Sequence, residues 1–415
     1  MAELDLTNIA AASIATPAAG VTALFVDTAD GRVKTKDSGG AVHVQSDAGP
    51  VDRSIVMNGG FSVQQRVAVA ATAIPNVSTT TRAGQVADRW AVTAGNTTTC
   101  LWTQVDAGTA VETGLLARHY GRITQNTNAA KFILSQFIIN AQMAHLRGQP
   151  VRISVKLKQF VGSNANYRLG LLQLNSSGTI DVCPAFSSAI GGASVEPTWG
   201  TNIVAINPDA AQTPENGTIS GVALTVASTA GWVRSSATFT VPANCVNLIA
   251  VLYRDTIGAA SDSVGIAEFQ LTQGTNIIDY VEPEFDLVLL RCQRFFSKSF
   301  PQTVVPAAAL SEATAGSGAT GVIGKAAATA LAVQISVQFP ETMWKVPTLT
   351  YFTPTAAGAA PFRLSGTTPA IQTATATRTS SLTDRGAVCT ATGDVNGAVG
   401  DLVGVHYTAD AEFVT

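Results

Sequence analysis

The chain has 415 residues, with 25 Lys and Arg against 28 Asp and Glu, giving a formal net charge of −3 at pH 7. Charged residues make up 13% and hydrophobic residues 46%, so charge is about half the ~25% usual for soluble domains while apolar material for a core is ample. A near-neutral chain with no basic block lacks the electrostatic footprint of a nucleic-acid binder, and its apolar content is the reverse of a disorder signature.

From the N-terminus, Glu3 and Asp5 stand where a secretory signal carries Lys or Arg, and Thr7, Asn8 and Ser13 break the apolar positions. No signal peptide is expected. No stretch of the chain approaches the ~20 apolar residues needed to span a bilayer, so no membrane insertion is expected either. Residues 24–26, the turn Asp30-Gly31, residues 32–36, the turn Asp37-Ser38-Gly39-Gly40 and residues 41–44 predict a small antiparallel hairpin set. With so few large apolar residues, block 1–50 cannot bury a core of its own and calls for a partner.

Period-2 alternation dominates the rest. In 151–158, Val151, Ile153, Val155 and Leu157 alternate with Arg152, Ser154, Lys156 and Lys158. The same pattern recurs at 331–339 and 405–413, each predicting a strand with one dry and one wet face. Residues 246–253 are apolar on both faces and predict a central strand. Helical signals are few: 140–147, closed by Gly148 and Pro150, and 284–299, where Phe285, Val288, Leu289, Cys292, Phe295 and Phe296 form one stripe. Pro283 precedes that helix, with Glu284 and Asp286 in its first turn and Lys298 in its last. The Ala/Gly/Ser-rich stretch 306–321 reads as a surface loop. The fold class is all-β, organised as an N-terminal leader and hairpin (1–50), a β-sandwich (51–283), a short linking helix (284–299) and a C-terminal β domain (300–415).

Chemistry is harder to find. Gly316-Ser-Gly318-Ala-Thr-Gly321 matches G-x-G-x-x-G but lacks a good strand before it and a helix after it, and Lys325 is followed by Ala326. Nucleotide binding is set aside. His43, His119, His145 and His406 show no metal-ligand spacing, and Asp27, Asp30 and Asp37 do not fit a calcium loop. The five cysteines contain no C-x-x-C pair and read as buried free thiols. Glu282 and Glu284 around Pro283 read as a hinge rather than an acid/base pair. Trp90 and Trp232 lie in strand-like runs and are expected in the core; Trp199, in the loop-like Glu-Pro-Thr-Trp-Gly stretch, is the candidate sugar platform. No catalytic residue, metal or cofactor is expected.

Several segments, in order, resemble modules of tailed-bacteriophage virion proteins. Met57-Asn58-Gly59-Gly60-Phe61-Ser62-Val63-Gln64-Gln65-Arg66 followed by Ala87-Asp88-Arg89-Trp90 is similar to an "N-G-x-F-x-x-x-Q-R … A-D-R-W" pattern. The likeness continues in 232–242, in 266–282, in Leu290-Arg291-Cys292-Gln293-Arg294-Phe295-Phe296-Ser297-Lys298, in 339–349 and in Tyr407-Thr408-Ala409-Asp410-Ala411-Glu412. The ending Tyr280-Val281-Glu282-Pro283 departs mildly from the family's "F-E-P". Ala15-Thr16-Pro17-Ala18-Ala19-Gly20, Leu24–Asp27 and Lys34–Asp37 resemble the N-termini of phage fibre and head-decoration proteins.

The resemblance implies a jelly-roll sandwich like that of carbohydrate-binding modules, in a head- or tail-fibre appendage of the virion. It implies docking on capsid, neck or tail proteins through residues 1–50, with Leu4, Ile9, Ile14, Leu24 and Phe25 as the apolar docking residues. It also implies a homotrimer and adsorption to a host-surface glycan. Assembly in the host cytoplasm followed by lysis fits the lack of a signal peptide. The alternatives are a glycan depolymerase or esterase on a β scaffold, and a capsid decoration or spacer that binds no sugar.

Overall fold

The computed structural model describes residues 8–28, 33–40, 42–44, 54–66, 72–74, 84–94, 100–110, 112–125, 131–162, 165–175, 187–189, 198–199, 202–206, 221–226, 231–254, 259–275, 278–302, 304–306, 322–325, 333–352, 363–365, 376–392 and 402–412. The chain divides into two compact units, Met1–Asp52 and Arg53–Thr415. The first holds β1 (Asn8–Ile9), β2 (Ala23–Asp27), β3 (Val33–Lys36) and β4 (Val42–Val44) in one sheet, in that order. The two turn-bounded strand pairs fall where the sequence places them. Phe25 is the one buried large apolar side chain among the described residues of this unit, beside the Asp27–Lys34 ion pair at 2.7 Å.

The second unit opens with β5 (Thr72–Ile74), β6 (Gln85–Ala87), β7 (Trp90–Ala94), β8 (Cys100–Asp106), β9 (His119–Gln125) and β10 (Phe132–Ile138). The short helix α1 (Asn140–Met143) and a 3-10 turn follow, as the 140–147 pattern predicts. Next come β11 (Pro150–Val161), β12 (Ala165–Leu174), the pair β13 (Ser187–Ala189) and β14 (Thr198–Trp199), and β15 (Ile203–Ala205). The sandwich closes with β16 (Gly221–Val226), β17 (Val233–Thr240), β18 (Asn247–Arg254) and β19 (Ser263–Gln273).

Two sheets face each other. One runs β15-β12-β18-β10-β7-β6, with β16 also on β12; the other runs β17-β11-β19-β9-β8-β5. The alternation read in 151–158 puts Val151, Ile153, Val155 and Leu157 inside, against Leu169, Leu171, Leu248, Ala250 and Leu252 of the opposite sheet. Trp90, Trp102, Phe61 and Phe269 fill the same core, with Phe61 and Trp90 ring centres 5.3 Å apart.

Strand β18 is buried along its whole length, and the second unit's C-terminal part explains why. Its inner residues join the sandwich core, while Ile249, Val251 and Tyr253 pack with Ile133, Phe137 and Leu172 around Phe295, with Trp344 against them. The central strands of the seven-stranded sheet are therefore covered on their outer face by the chain itself.

Helix α2 spans Phe285–Gln293, shorter than the 284–299 stripe predicts. Phe296–Lys298 instead form strand β20, because they pair with the strand at the end of the described chain: Phe296 with Asp410, Ser297 with Ala409 and Lys298 with Thr408. That strand is β27 (Leu402–Asp410), reached through β21 (Val322–Lys325), β22 (Val333–Gln338), β23 (Thr348–Phe352), β24 (Arg363–Ser365), β25 (Ala376–Leu382) and β26 (Gly386–Thr392). Strands β20, β21, β23 and β24 all pair with β27, and β22-β26-β25 form a further sheet. The stretch 307–321, with the glycine motif at 316–321, lies outside the described residues.

Candidate functional site

The residues that carry the phage-protein resemblance meet in space. Asn58, held at a φ of 54°, accepts the Val63 amide on its side chain and donates to the carbonyls of Val63 and Asp88, while its own carbonyl takes the Trp90 indole at 2.9 Å. Asp88 accepts both the backbone and the side-chain amide of Gln65. Arg66 lies over the ring of Phe296 at 3.8 Å and pairs with Asp410. Arg89 lies over Phe295 at 3.6 Å, donates to the Phe137 carbonyl at 2.7 Å and reaches Glu412 at 3.4 Å. Lys298 points its ammonium at the carbonyls of Gln65, Gln302 and Val304.

The electrostatics of this cluster are those of an internal joint. Burial pushes the Asp88 carboxyl up, against the pull of Arg66. Burial works against the Arg66 charge, but Glu412 and Asp410 more than offset it and raise its pKa. Burial also pushes Asp410 up, yet Arg66 holds it below its ordinary value. The Lys298 ammonium is lowered to about 8 by desolvation. The motif thus ties the sandwich to the C-terminal sheets, and its charges are occupied by one another.

With one sandwich face covered, the outer face of the six-stranded sheet is where chemistry is presented. Continuing the β11 alternation past Lys158 puts Phe160 outward with Arg152, Ser154, Lys156 and Lys158. Phe160, Tyr120 of β9 and Trp232 before β17 form a cluster with centroid distances of 5.7, 5.1 and 6.1 Å. Trp232 is thus on the outer face and partly exposed rather than in the main core, because the residues of β17 that enter that core are Ala237 and Phe239. Trp90 is fully buried, as expected. Gly265 is the floor: a Cβ there would come within 2.6 Å of both the Phe160 and Trp232 rings.

Polar groups frame the rings. Across the sheet, Lys158 pairs in register with Gly265, Gly265 with Arg122, and Arg122 with Thr103. The Lys158 ammonium and the Arg122 guanidinium lie 4.7 and 4.8 Å from the Phe160 ring centre. Glu112 accepts Lys158 at 2.7 Å and the Trp232 indole at 3.1 Å. Further along, Ser154, Gln270 and Ser236 share a row, and Arg152 donates to Ser236, Thr238 and the Thr275 carbonyl. Burial lowers the pKa of Arg152 and raises that of Tyr120.

Glu268 fastens the loop that borders the rings. It sits at a φ of 50° where β19 bulges opposite Val155, and its carboxylate accepts the amides of Leu116 and Ala117 and the Lys156 ammonium. Glu282 accepts the Arg118 amide at 3.3 Å and is pushed up by burial, whereas Glu284 is exposed at the start of α2. A Ser/His contact exists at Ser299 and His406, 3.1 Å apart, but His406 is 2% exposed and stacked on Phe300, and its pKa is lowered by burial. Among the described residues no group of three His, Cys, Asp or Glu is placed to hold a metal ion.

Of the residues picked from sequence, Trp199 falls on β14, paired with β13; its side chain and Leu4 lie outside the described residues. Ile9 and Ile14 are partly exposed, Leu24 is 46% exposed and Phe25 is 2% exposed. Cys100, Cys245 and Cys292 are buried free thiols. Tyr120, Phe160 and Trp232 were not legible as a group, though an aromatic in phase with the polar side of a strand was the signal available at Phe160.

No protein-family model matches the chain, and no curated protein matches it. Among solved structures, it overlaps the carbohydrate-binding module TmCBM61 in complex with β-1,4-galactotriose at a TM-score of 0.30 and 10% identity, over 54% of this chain and 100% of that one. It overlaps the CBM22-1–GH10 modules of Clostridium thermocellum xylanase 10B, complexed with xylohexaose, at 0.30 and 14%, over 56% and 30%. The enzymatically active domain of bacteriophage CBA120 tailspike protein 4 gives 0.29 and 11%, over 54% and 22%. The chain spans under a third of the xylanase and tailspike chains, and at these scores the overlaps carry no argument about its function.

Proposed function

We propose that the chain is a non-enzymatic structural and adhesive component of a tailed-phage particle. In this reading residues 1–50 dock on capsid, neck or tail proteins, the protein assembles as a homotrimer, and the sandwich adsorbs to a host-surface glycan. The observation that carries the glycan part is the asymmetry of the sandwich. One outer face is covered along its central strands, while the other presents Phe160 and Trp232 over a glycine floor amid cations, hydroxyls and amides. A sugar ring has the matching chemistry, an apolar C–H face for the rings and hydroxyls for the polar frame. Binding is favoured over catalysis because Glu268 is committed to loop amides and a lysine, and the Ser299–His406 contact is buried. The virion part rests on the ordered sequence resemblance.

Electron microscopy of purified particles with this protein labelled tests the virion role: density at head, neck or tail supports it, and absence from particles sinks it. A glycan array probed with the full chain tests adhesion. Binding that disappears in Trp232→Ala supports the assigned face, and no binding to any glycan leaves the decoration or spacer alternative.

A further inference from the structure

The face that the glycan reading assigns has an unbalanced charge beside its rings. Four of its cations have carboxylates: Lys158 with Glu112 at 2.7 Å, Lys156 with Glu268 at 2.9 Å, Arg234 with Asp279 at 2.8 Å and Arg118 with Asp106 at 3.4 Å. Arg122 and Arg152 have none among the described residues. Arg152 is engaged by two hydroxyls and a carbonyl, and lies eight residues along β11 from Phe160, about 27 Å at ~3.4 Å per residue. Arg122 is different. Its Nε donates to the Ser263 hydroxyl, its guanidinium lies 4.8 Å from the Phe160 ring centre, and its two Nη groups bond to no described residue.

A partly buried guanidinium with an open pair of donors, over one ring of an aromatic cluster, matches a planar carboxylate carried on a sugar ring. A carboxylate takes two parallel N–H bonds from Arg, which hydroxyls match only as weaker neutral acceptors. We propose that this face selects acidic saccharides, with a uronic-acid ring against Trp232, beside Phe160, and its carboxylate on the Nη pair of Arg122. The proposal rests on the glycan reading and narrows it to an anionic class. Lys158, on the other side of Gly265, is neutralised by Glu112, so selection falls to Arg122.

The test is calorimetric titration of the full chain with oligogalacturonate and oligoglucuronate, each against its methyl ester, which removes the charge and keeps the ring. The acids are expected to bind about tenfold or more tightly than the esters, and about 0.5 M NaCl to weaken only the acids. Arg122→Gln should lower affinity for the acids about tenfold and leave the esters within about twofold, and Arg122→Lys should recover part of the loss. Equal binding of acid and ester overturns the proposal, as does an Arg122→Gln variant that weakens both alike. Binding of neutral glycans with no preference for acids sinks the charge selection alone; no binding of any glycan sinks the adhesive reading with it. Should Arg122→Gln fail to fold, the acid-against-ester comparison on the native chain still decides.

Discussion

Arg89 and Phe295 meet face to face: the guanidinium carbon lies 3.6 Å from the ring centre, and each residue is 1% exposed. One belongs to the sandwich's second sequence motif and the other follows helix α2, so this contact joins two stretches far apart in the chain. Glu412, 3.4 Å from the same guanidinium, completes it. Removing the guanidinium leaves the buried Glu412 carboxylate to Arg66 alone, at 3.8 Å, and empties a stacked, fully buried position. Arg89→Ala is expected to lower stability by about 3–5 kcal/mol in denaturant titration. Arg89→Lys should recover little, because an ammonium cannot stack and donate to the Phe137 carbonyl at once.

Gly59→Ala should be nearly as damaging, for a different reason. A Cβ at that position would lie 1.9 Å from the Phe269 carbonyl oxygen, a backbone atom held in β19 and therefore unable to swing away. A loss of roughly 2–4 kcal/mol is expected, read as a lowered urea midpoint at unchanged slope.

On the outer face, Gly265→Ala pushes against rings rather than backbone. The atoms met are ring edges of two partly exposed side chains, which can give where backbone cannot, so the expected cost is about 1–3 kcal/mol. The sharper readout is near-ultraviolet circular dichroism and glycan binding. Loss of the Trp232 signature together with adsorption, in a protein that still unfolds cooperatively, marks the aromatic platform as the binding element.

Lys298 makes stability depend on pH in the alkaline range. Its folded pKa is about 8 against an ordinary 10.5, so the unfolded chain holds the proton more tightly between those values. Stability from this group therefore rises as pH goes from about 8 to 10.5 and falls as pH drops back, by up to roughly 3 kcal/mol at ~1.4 kcal/mol per unit. Subtracting the melting profile of Lys298→Met from that of the native chain isolates the effect; a flat difference across that range rules it out.

The strands were legible because each has one wet face. The alternation in 151–158 set both the inward residues of β11 and its outward row, and the doubly apolar 246–253 marked β18 as central. The stripe in 284–299 predicts a longer helix than α2, because spacings of three and four cannot show that Phe296 pairs with a strand more than a hundred residues later. The aromatic platform escaped for a similar reason. Tyr120 and Phe160 lie on separate strands, Trp232 just before a third, and they share no spacing, so only the register of the sheet assembles them. The motif residues were visible as a pattern, but a pattern of Arg, Asp and Phe does not say whether its charges face a partner or each other.

Strand β27 adds a matter of timing. It is the common neighbour of β20, β21, β23 and β24, and it leads directly into Glu412 while carrying Asp410, yet it follows all four in the chain. A ribosome delivers the sandwich first and this strand after every partner. Until it emerges, Arg66 and Arg89 lack Asp410 and Glu412, and Phe295 and Trp344, which pack on the Ile133–Phe137–Ile249–Val251 face, lack their bonds to Ala411. Nascent chains of this protein are thus most in need of a chaperone between the emergence of the sandwich and that of β27, and chains that stop short of β27 should be cleared by proteolysis.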